Sequence, residues 1–484
     1  MASRIQQKLI ILAFILLLSA SANAGQVPGP ASAEDIPISS HDRVYLSDQT
    51  SNTVSVIDPA AGKLLGVIRL GDPTPGNLSP LYKGQLLVHG MGFSPDHRTL
   101  VVVSVGSNSV AFIDTKTNLI KHITYVGRAP HEAFFTPNGK EVWVTVRGED
   151  FVQVLDGKTY QPTERIKLPD GPGMTIFSPD GKYGYVCSSF TPKTVVIDTK
   201  YHRIVGRVTQ ASPFCPDIAA TPDGKQVWFT LKDIGKTQVF GAKPPFDTIA
   251  VLDTGPITNH VNIVRNAKGQ FAYVSVGGLN VVRVFTTTDR PELIATIPTG
   301  ELPHGLWPSG DGTRIYVGLE NADAVTAIDT QSNKVIATIS SGQSPQGMVY
   351  IPNAVHSGEG TENLSPIGTS GEAVHLTMVS VETGKAVTTV AVNNQGLVDL
   401  LEAAVTGLEP KKPYMLALVN NADGSGPLEP VAKFMTNPAG AAIVVTVGPL
   451  RKAVQGNEGN PRRYLVIAPV IEDKPGAPVQ VQRL

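Results

Sequence analysis

Two cysteines in 484 residues leave no disulfide framework and no Cys-rich metal knot on which a fold could be built. No Cys-x-x-Cys-His occurs, which excludes covalently attached c-type haem. GxSxG, HExxH, a P-loop and a helix-opening GxGxxG are all missing, so no motif announces a hydrolase elbow, a zinc protease or a nucleotide site. Asp180-Gly181-Lys182 and Asp223-Gly224-Lys225 look like fragments of ion-binding loops, but no EF-hand spacing follows them. Charged residues make up 17% and balance to a net charge of −1, which leaves no electrostatic footprint for nucleic acid. Long apolar runs are also lacking. The one candidate, Leu9 to Leu18, is too short to span a bilayer, so no transmembrane segment is expected. With Arg4 and Lys8 before it and Ala22-Asn23-Ala24 after it, this run reads as a secretory signal over 1–24, cleaved after Ala24. No cysteine stands at that site, so a lipoprotein is not expected. The mature chain is expected to be exported, to the periplasm or the cell exterior.

What is plentiful is turn chemistry, with 47 glycines and 38 prolines. The stretch His89 to Asp114, HGMGFSPDHRTLVVVSVGSNSVAFID, reads as strand, turn, strand, turn, strand. The pattern recurs. Taking His97 as a turn marker, the equivalents are Gly139, Gly181, Gly224, Gly269, Gly312 and Ala354, at steps of 42 to 45 residues. Seventeen residues past each marker stand Asp114, Asp156, Asp198, Gly241, Thr286 and Asp329; Asp58 joins them with His41 as its marker. Four short strands per unit at a period in the low forties make a propeller blade, because one small sheet cannot bury both of its faces alone. The first unit, from Arg43 to Leu70, has no first strand. The last stops after one, Gln346 to Pro352. Together they complete a seventh blade and close the ring over 41–354, leaving no sheet edge open.

Several stretches carry a family resemblance: Tyr185-Val186-Cys187-Ser188, Tyr273-Val274-Ser275-Val276, Tyr316-Val317-Gly318-Leu319, Thr194-Val195-Val196-Ile197-Asp198-Thr199 and Phe177-Ser178-Pro179-Asp180-Gly181-Lys182. In these the chain resembles the YVTN-type β-propeller repeat proteins. The resemblance is specific for fold and unspecific for activity. It implies surface-layer proteins, periplasmic binding proteins and many of unknown role, with similar rings in lactonases and haem-containing oxidoreductases.

Outside the ladder the chain divides further. Residues 25–40 are rich in Pro, Ala and Ser and are expected to be a mobile lead-in. Between Asp72 and Leu87 the period stretches by about one loop. The unit after Gly224 is irregular and carries Lys232-Asp233-Ile234-Gly235-Lys236 in its top loop. Residues 355–371 read as a linker, and alternation without the ladder returns over 372–484. Strands are expected at Val374-Leu376-Met378, Val387-Val390-Val392, Tyr414-Leu416-Leu418, Ile443-Val445-Val447 and Leu465-Ile467, with Val398 to Ala404 as strand or helical turn. This spacing suggests a β-sandwich, immunoglobulin- or fibronectin-like by pattern alone. The fold class is therefore all-β: a seven-bladed β-propeller followed by a C-terminal β-sandwich domain.

Eight residues before each marker, at the top of the channel, the register places His89, His131, Gly173, Pro216, Val261, His304 and Gln346, with His260 one residue off. Four of ten histidines thus converge on one rim, on blades that are not all adjacent. With Arg128, Glu132 and Asp217 beside them they form the candidate ligand site, able to act as acid–base groups. No metal or other cofactor is expected; were a transition metal or non-covalent haem bound, His89, His131 and His304 would be its ligands. Equally, a histidine in that slot can simply hydrogen-bond the next blade. The repeated Asp set is expected to be structural, each carboxylate accepting N–H bonds from the turn ahead. Cys187 and Cys215 fall at the same rim, which allows a disulfide in an oxidising compartment; the alternative is two small buried thiols.

Long loops on a rigid scaffold concentrate function, and here they lie on the top face. The chain therefore reads as an exported binding or scaffold protein whose top face recognises a protein, peptide, glycan or small ligand at the envelope. One alternative is an enzyme, either a lactonase-type hydrolase or a periplasmic redox or metal protein using the histidine rim. Another is a surface-layer or cell-envelope structural protein assembled through the sandwich. Fold does not decide among these.

Overall fold

In a computed structural model, residues 35–71, 86–368, 372–396, 398–457 and 459–483 are described. The signal expected over 1–24, most of the lead-in and most of the stretched segment after Asp72 lie outside them. Among the described residues no helix is long and apolar enough to cross a membrane.

Seven four-stranded antiparallel sheets form the propeller. Blade one is the composite: Pro345–Ile351 is its innermost strand, pairing Arg43–Asp48, with Thr53–Asp58 and Lys63–Arg69 outside. The ring closes where the ladder placed it. Innermost strands such as Val88–Phe93 and Pro303–Pro308 are wholly buried, while outermost strands such as Pro162–Lys167 are largely exposed. Large side chains of the second strands, Tyr45, Trp143, Tyr185, Trp228, Tyr273 and Tyr316, are fully buried and fill the wedges between blades.

The two bottom turns explain the repeat. In the first, a hydroxyl bonds the carboxylate or amide two residues on, as Ser178 Oγ to Asp180 Oδ1 at 2.6 Å and Thr221 Oγ1 to Asp223 Oδ1 at 2.7 Å. The marker residue follows in the left-handed region, at φ +69° for Gly181 and +65° for Gly224, where only glycine is unstrained; His97 holds the same place at +64°. In the second turn Asp58, Asp114, Asp156, Asp198 and Asp329 each accept a backbone N–H two or three residues on at 2.7–3.2 Å, which is the structural role expected of them.

Around the rim, two features pin segments read from sequence as loose. Asp35, where the described part of the lead-in begins, is held by Arg265 at 2.7 Å. The expected linker is a strap: the Asn118 amide donates to the carbonyls of Gly360 and Glu362, and Ser365 bridges Val67 on the outer strand of blade one. It carries the chain from the bottom of the disc to the top.

The C-terminal β domain forms there. Its strands make one nine-stranded sheet: eight run from Glu429–Met435 through Pro413–Val419, Tyr464–Ile471, Gln480–Gln482, Ala373–Ser380, Ala386–Asn394 and Asp399–Val405 to Ala442–Gly448, and Lys474–Pro475 pairs Tyr464–Ile471 off this path. The two end strands lie beside each other, so the sandwich-like sheet is nearly closed. Val390, Leu401, Leu416 and Ile467 form its core, and a helix at Leu450–Gln455 plugs it with Leu450 and Val454. Val398 to Ala404 resolves as strand. The strand Glu429–Met435 and the plugging helix were not expected; their short, interrupted apolar spacing carries little periodicity.

This domain sits on the top face. Asn321 donates to Thr389 Oγ1 at 3.0 Å, Asn393 to Ser344 Oγ at 3.1 Å and Gln395 to the Thr50 carbonyl at 2.9 Å. Ile257 and Leu302 of the propeller pack against Ala404 and Ala441 of the roof. The top face, expected to recognise a ligand, is covered by the chain's own second domain.

Candidate functional site

Between disc and roof lies a cavity of about 490 Å³. Its floor is the histidine rim. Two residues past His89, His131, His260 and His304 stand Met91, Ala133, Asn262 and Leu306. Each pairs the residue eleven further on: Val102, Val144, Tyr273 and Val317. His260 is thus in register with the others. The apparent offset arose because its blade turns tightly at Ala267-Lys268, with Asn266 pairing Gly269.

The four imidazoles form a continuous chain. Ring centroids are 4.3 Å apart for His131 and His89, 6.2 Å for His89 and His304, and 4.8 Å for His304 and His260. Each Nδ1 is backed by an oxygen of the adjacent blade or strand: Gly173 O at 2.8 Å from His131, Glu320 Oε2 at 2.9 Å from His304, Asp217 Oδ2 at 3.6 Å from His260, and Glu132 Oε1 at 3.7 Å from His89. Glu132 occupies space opened by Gly90, where a Cβ would fall 2.3 Å from its Oε2, and it accepts the Met91 N–H at 3.2 Å. Asp217 accepts the Val261 N–H at 2.8 Å.

Burial sets the protonation of this floor. It holds the imidazoles of His89, His131, His260 and His304 well below their ordinary value, so they are neutral near pH 7. Glu132 and Asp217 sit behind the imidazoles and do not line the cavity; burial lifts Glu132 well above the carboxylate range and pushes Asp217 up to about 8.

A second ring stands above the floor, one residue past each second strand: Gln49, Val105, Arg147, Lys232 and Glu320 all line the cavity. These are eight residues past the markers, so the ladder itself would have found Arg147, Lys232 and Glu320. Arg128, the cation expected here, does not line the cavity. It is exposed, and its guanidinium folds back onto the Gly148 carbonyl because its loop turns outward before Pro130. Among the described residues, neither the Arg147 nor the Lys232 side chain has an ion-pair or hydrogen-bond partner. Burial lowers both, and the carboxyls of Glu320 and Glu402 favour the Lys232 charge. The roof supplies Glu402, from Asp399–Val405, whose carboxyl is lifted well above its ordinary range by burial and then by Glu320. Nothing in the sequence around Glu402 signalled this. Toward the mouth the lining turns apolar, with Phe214, Met435, Ile443 and Val445.

Cys187 and Cys215 are joined as a disulfide, tying the second strand of blade four to the entry of blade five beside the cavity.

Comparison with known proteins gives the propeller a context. A family profile described as "Lactonase, 7-bladed beta-propeller" matches residues 125–350. The hydrazine synthase β subunit of Kuenenia stuttgartiensis is 26% identical over a match covering 37% of this chain and 59% of that protein, under two thirds of its length. Among solved structures, Kuenenia stuttgartiensis hydrazine synthase aligns with a TM-score of 0.52 at 20% identity, over 65% of this chain and 99% of the other. The periplasmic gluconolactonase PpgL of Pseudomonas aeruginosa gives 0.51 at 18%, over 64% and 99%. A functionally unknown protein of Desulfotomaculum acetoxidans gives 0.54 at 13%, over 63% and 98%. These likenesses establish the fold, over a share of the chain about equal to its propeller.

Proposed function

We propose that this chain is an exported ligand-binding propeller whose site is the roofed cavity, and that the ligand is a small organic anion. The observation that carries this is the pair Arg147 and Lys232: two cations facing one roofed cavity, neither in an ion pair or hydrogen bond among the described residues. A charge held out of bulk water without a partner is destabilising, and an anion placed between them supplies the missing one. The neutral imidazoles of the floor and the raised carboxyls of Glu320 and Glu402 offer hydrogen bonds to a polyhydroxylated or carboxylate-bearing molecule. Phe214, Met435 and Val445 at the mouth contact its less polar end. The roof limits the occupant to small-molecule size, so a folded protein partner does not reach the histidines.

A second reading is favoured by the lactonase-type family profile over 125–350. Hydrolysis of a lactone yields a hydroxy acid, an anion of the class the cations would hold, and the neutral His260 beside Asp217 is placed to relay a proton. The test uses the mature chain with gluconate and glucono-δ-lactone as probes. Calorimetric binding of gluconate that is weakened at least tenfold by Arg147→Met or Lys232→Met supports the anion site. Lactone hydrolysis above the spontaneous rate, lost on His260→Ala, supports the second reading. Calorimetry with a panel of other carboxylates and phosphates widens the probe set. Failure of every anion to bind, or binding indifferent to both cation substitutions, would refute the proposal.

A further inference from the structure

The floor of the cavity has more nitrogen than its hydrogen bonds use. One nitrogen of His89, one of His131 and a carboxylate oxygen of Glu132 all lie within 4.8 Å of one another, and all three side chains are buried. His89 Nδ1, His260 Nε2 and His304 Nδ1 are buried with no hydrogen-bond partner among the described residues, and the three residues are 7%, 7% and 5% exposed. Three unsatisfied ring nitrogens in one cluster are an unusual cost for a core that serves only to hold blades together.

We propose that this floor is a mononuclear transition-metal site held by His89, His131 and Glu132, with the His304 imidazole beside it, its ring centroid 6.2 Å from that of His89. The proposal concerns the same cavity as the anion reading and adds a metal to it. Three features fit. Imidazole nitrogen with one carboxylate oxygen is a donor set of borderline hardness, which takes Cu2+, Zn2+, Ni2+ or Fe2+ in preference to Mg2+ or Ca2+. The Gly173 carbonyl accepts from His131 Nδ1 at 2.8 Å, fixing the tautomer that leaves Nε2 with its lone pair. Glu320 Oε2 lies 2.9 Å from His304 Nδ1 without hydrogen-bond geometry, so it is a near neighbour of that ring and leaves its tautomer open. An outer partner such as the Gly173 carbonyl orients a metal-bound histidine, and the scaffold here is rigid strand rather than loop. A cavity open above the metal leaves coordination positions for the organic anion, so metal and cations would share one ligand.

The experiment is equilibrium dialysis of the full mature chain, oxidised at Cys187 and Cys215, against Cu2+, Zn2+ and Co2+ singly, with a weak competing chelator. One ion per chain is expected. His89→Ala and His131→Ala should each weaken binding about 100-fold, and His202→Ala, on the outer surface, should leave it unchanged. Because a variant can misfold, the wild-type Cu2+ protein is also examined by electron paramagnetic resonance, where coupling to at least two imidazole nitrogens is expected. Absence of that coupling, no retained ion, or equal retention by the His89→Ala/His131→Ala double variant would overturn the proposal. Gluconate binding to the metal-free protein is measured alongside. If it persists without metal retention, the metal site fails and the anion reading stands. Metal retention without anion binding gives the converse.

Discussion

Replacing Leu302 by alanine should loosen the roof without unfolding the disc. Leu302 is fully buried in a four-residue cluster, with Ile257 beside it on the propeller and Ala404 and Ala441 facing it from the roof. Its left-handed backbone, at φ +54°, is no harder for alanine than for leucine. A buried Leu→Ala change costs about 2–5 kcal/mol in lost transfer energy and residual cavity. Half of the cluster belongs to each domain, so roughly half of the lower-to-middle range, about 1.5 kcal/mol, is expected to fall on docking. That corresponds to about a tenfold rise in the open population of the roof. Hydrogen exchange reads it directly. The Ser344 amide, which bonds Asp323 within the propeller but is buried beneath the roof, should exchange about tenfold faster, while amides of the second strands, such as Val144 and Val186, should not change. Release of a bound anion should accelerate by a similar factor. If the whole protein loses protection uniformly, or if the Ser344 amide is unaffected while the melting temperature falls, the roof is not a separable unit and this reasoning fails.

Three further outcomes follow from particular contacts. Reducing the Cys187–Cys215 bond, which closes a loop of sequence separation 28, should lower stability by about 3.5 kcal/mol on the chain-entropy account, measured by denaturant titration with and without reductant. Unchanged stability would refute that account. Docking of the roof should weaken as pH rises. His375 of the roof lies 3.4 Å from Asp323 of blade seven, and this contact raises the imidazole above its ordinary value. Its stabilisation is therefore complete below a pH of about 6.5 and is lost through the higher folded value. Glu301, the other acid facing it, is raised by burial, so its ionisation acts in the same direction. Hydrogen exchange at the interface across pH 6–9 should show this dependence, and His375→Gln should flatten it. Gly90→Ala would place a Cβ 2.1 Å from the His131 carbonyl and 2.3 Å from the Glu132 carboxylate. It should destabilise the chain by about 1–3 kcal/mol and abolish ligand binding, because strand backbone cannot yield. A crystal structure or binding titration in which Gly90→Ala behaves as wild type would refute the close packing of the floor.

The propeller was legible because it is periodic. A marker turn that needs a left-handed residue and an Asp that ties the next turn repeat at fixed offsets, so blade number, closure and inward slots can be counted. The same arithmetic placed His89, His131 and His304 on one rim. Applied eight residues past the markers rather than before them, it reaches Arg147, Lys232 and Glu320. It misjudged His260, because a tighter hairpin shifts the marker without shifting the strand. It misjudged Arg128, because a residue in a connecting loop has no register to fix its direction.

The sequence by itself determined the seven blades, their closure by the strand at 345–351, the histidines on the inner strands and the presence of a second β domain. Those are properties of local hydrogen bonding and of side chains recurring at a fixed period. Only the tertiary structure decided that the second domain folds back over the top face, that Glu402 enters the cavity from above, and that histidines of separate blades stand within contact of one another. These depend on where a strap of some fifteen residues delivers a domain and on how narrow a ring of seven sheets becomes at its axis. Such distances are set by packing across hundreds of residues of chain, and no short-range pattern encodes them.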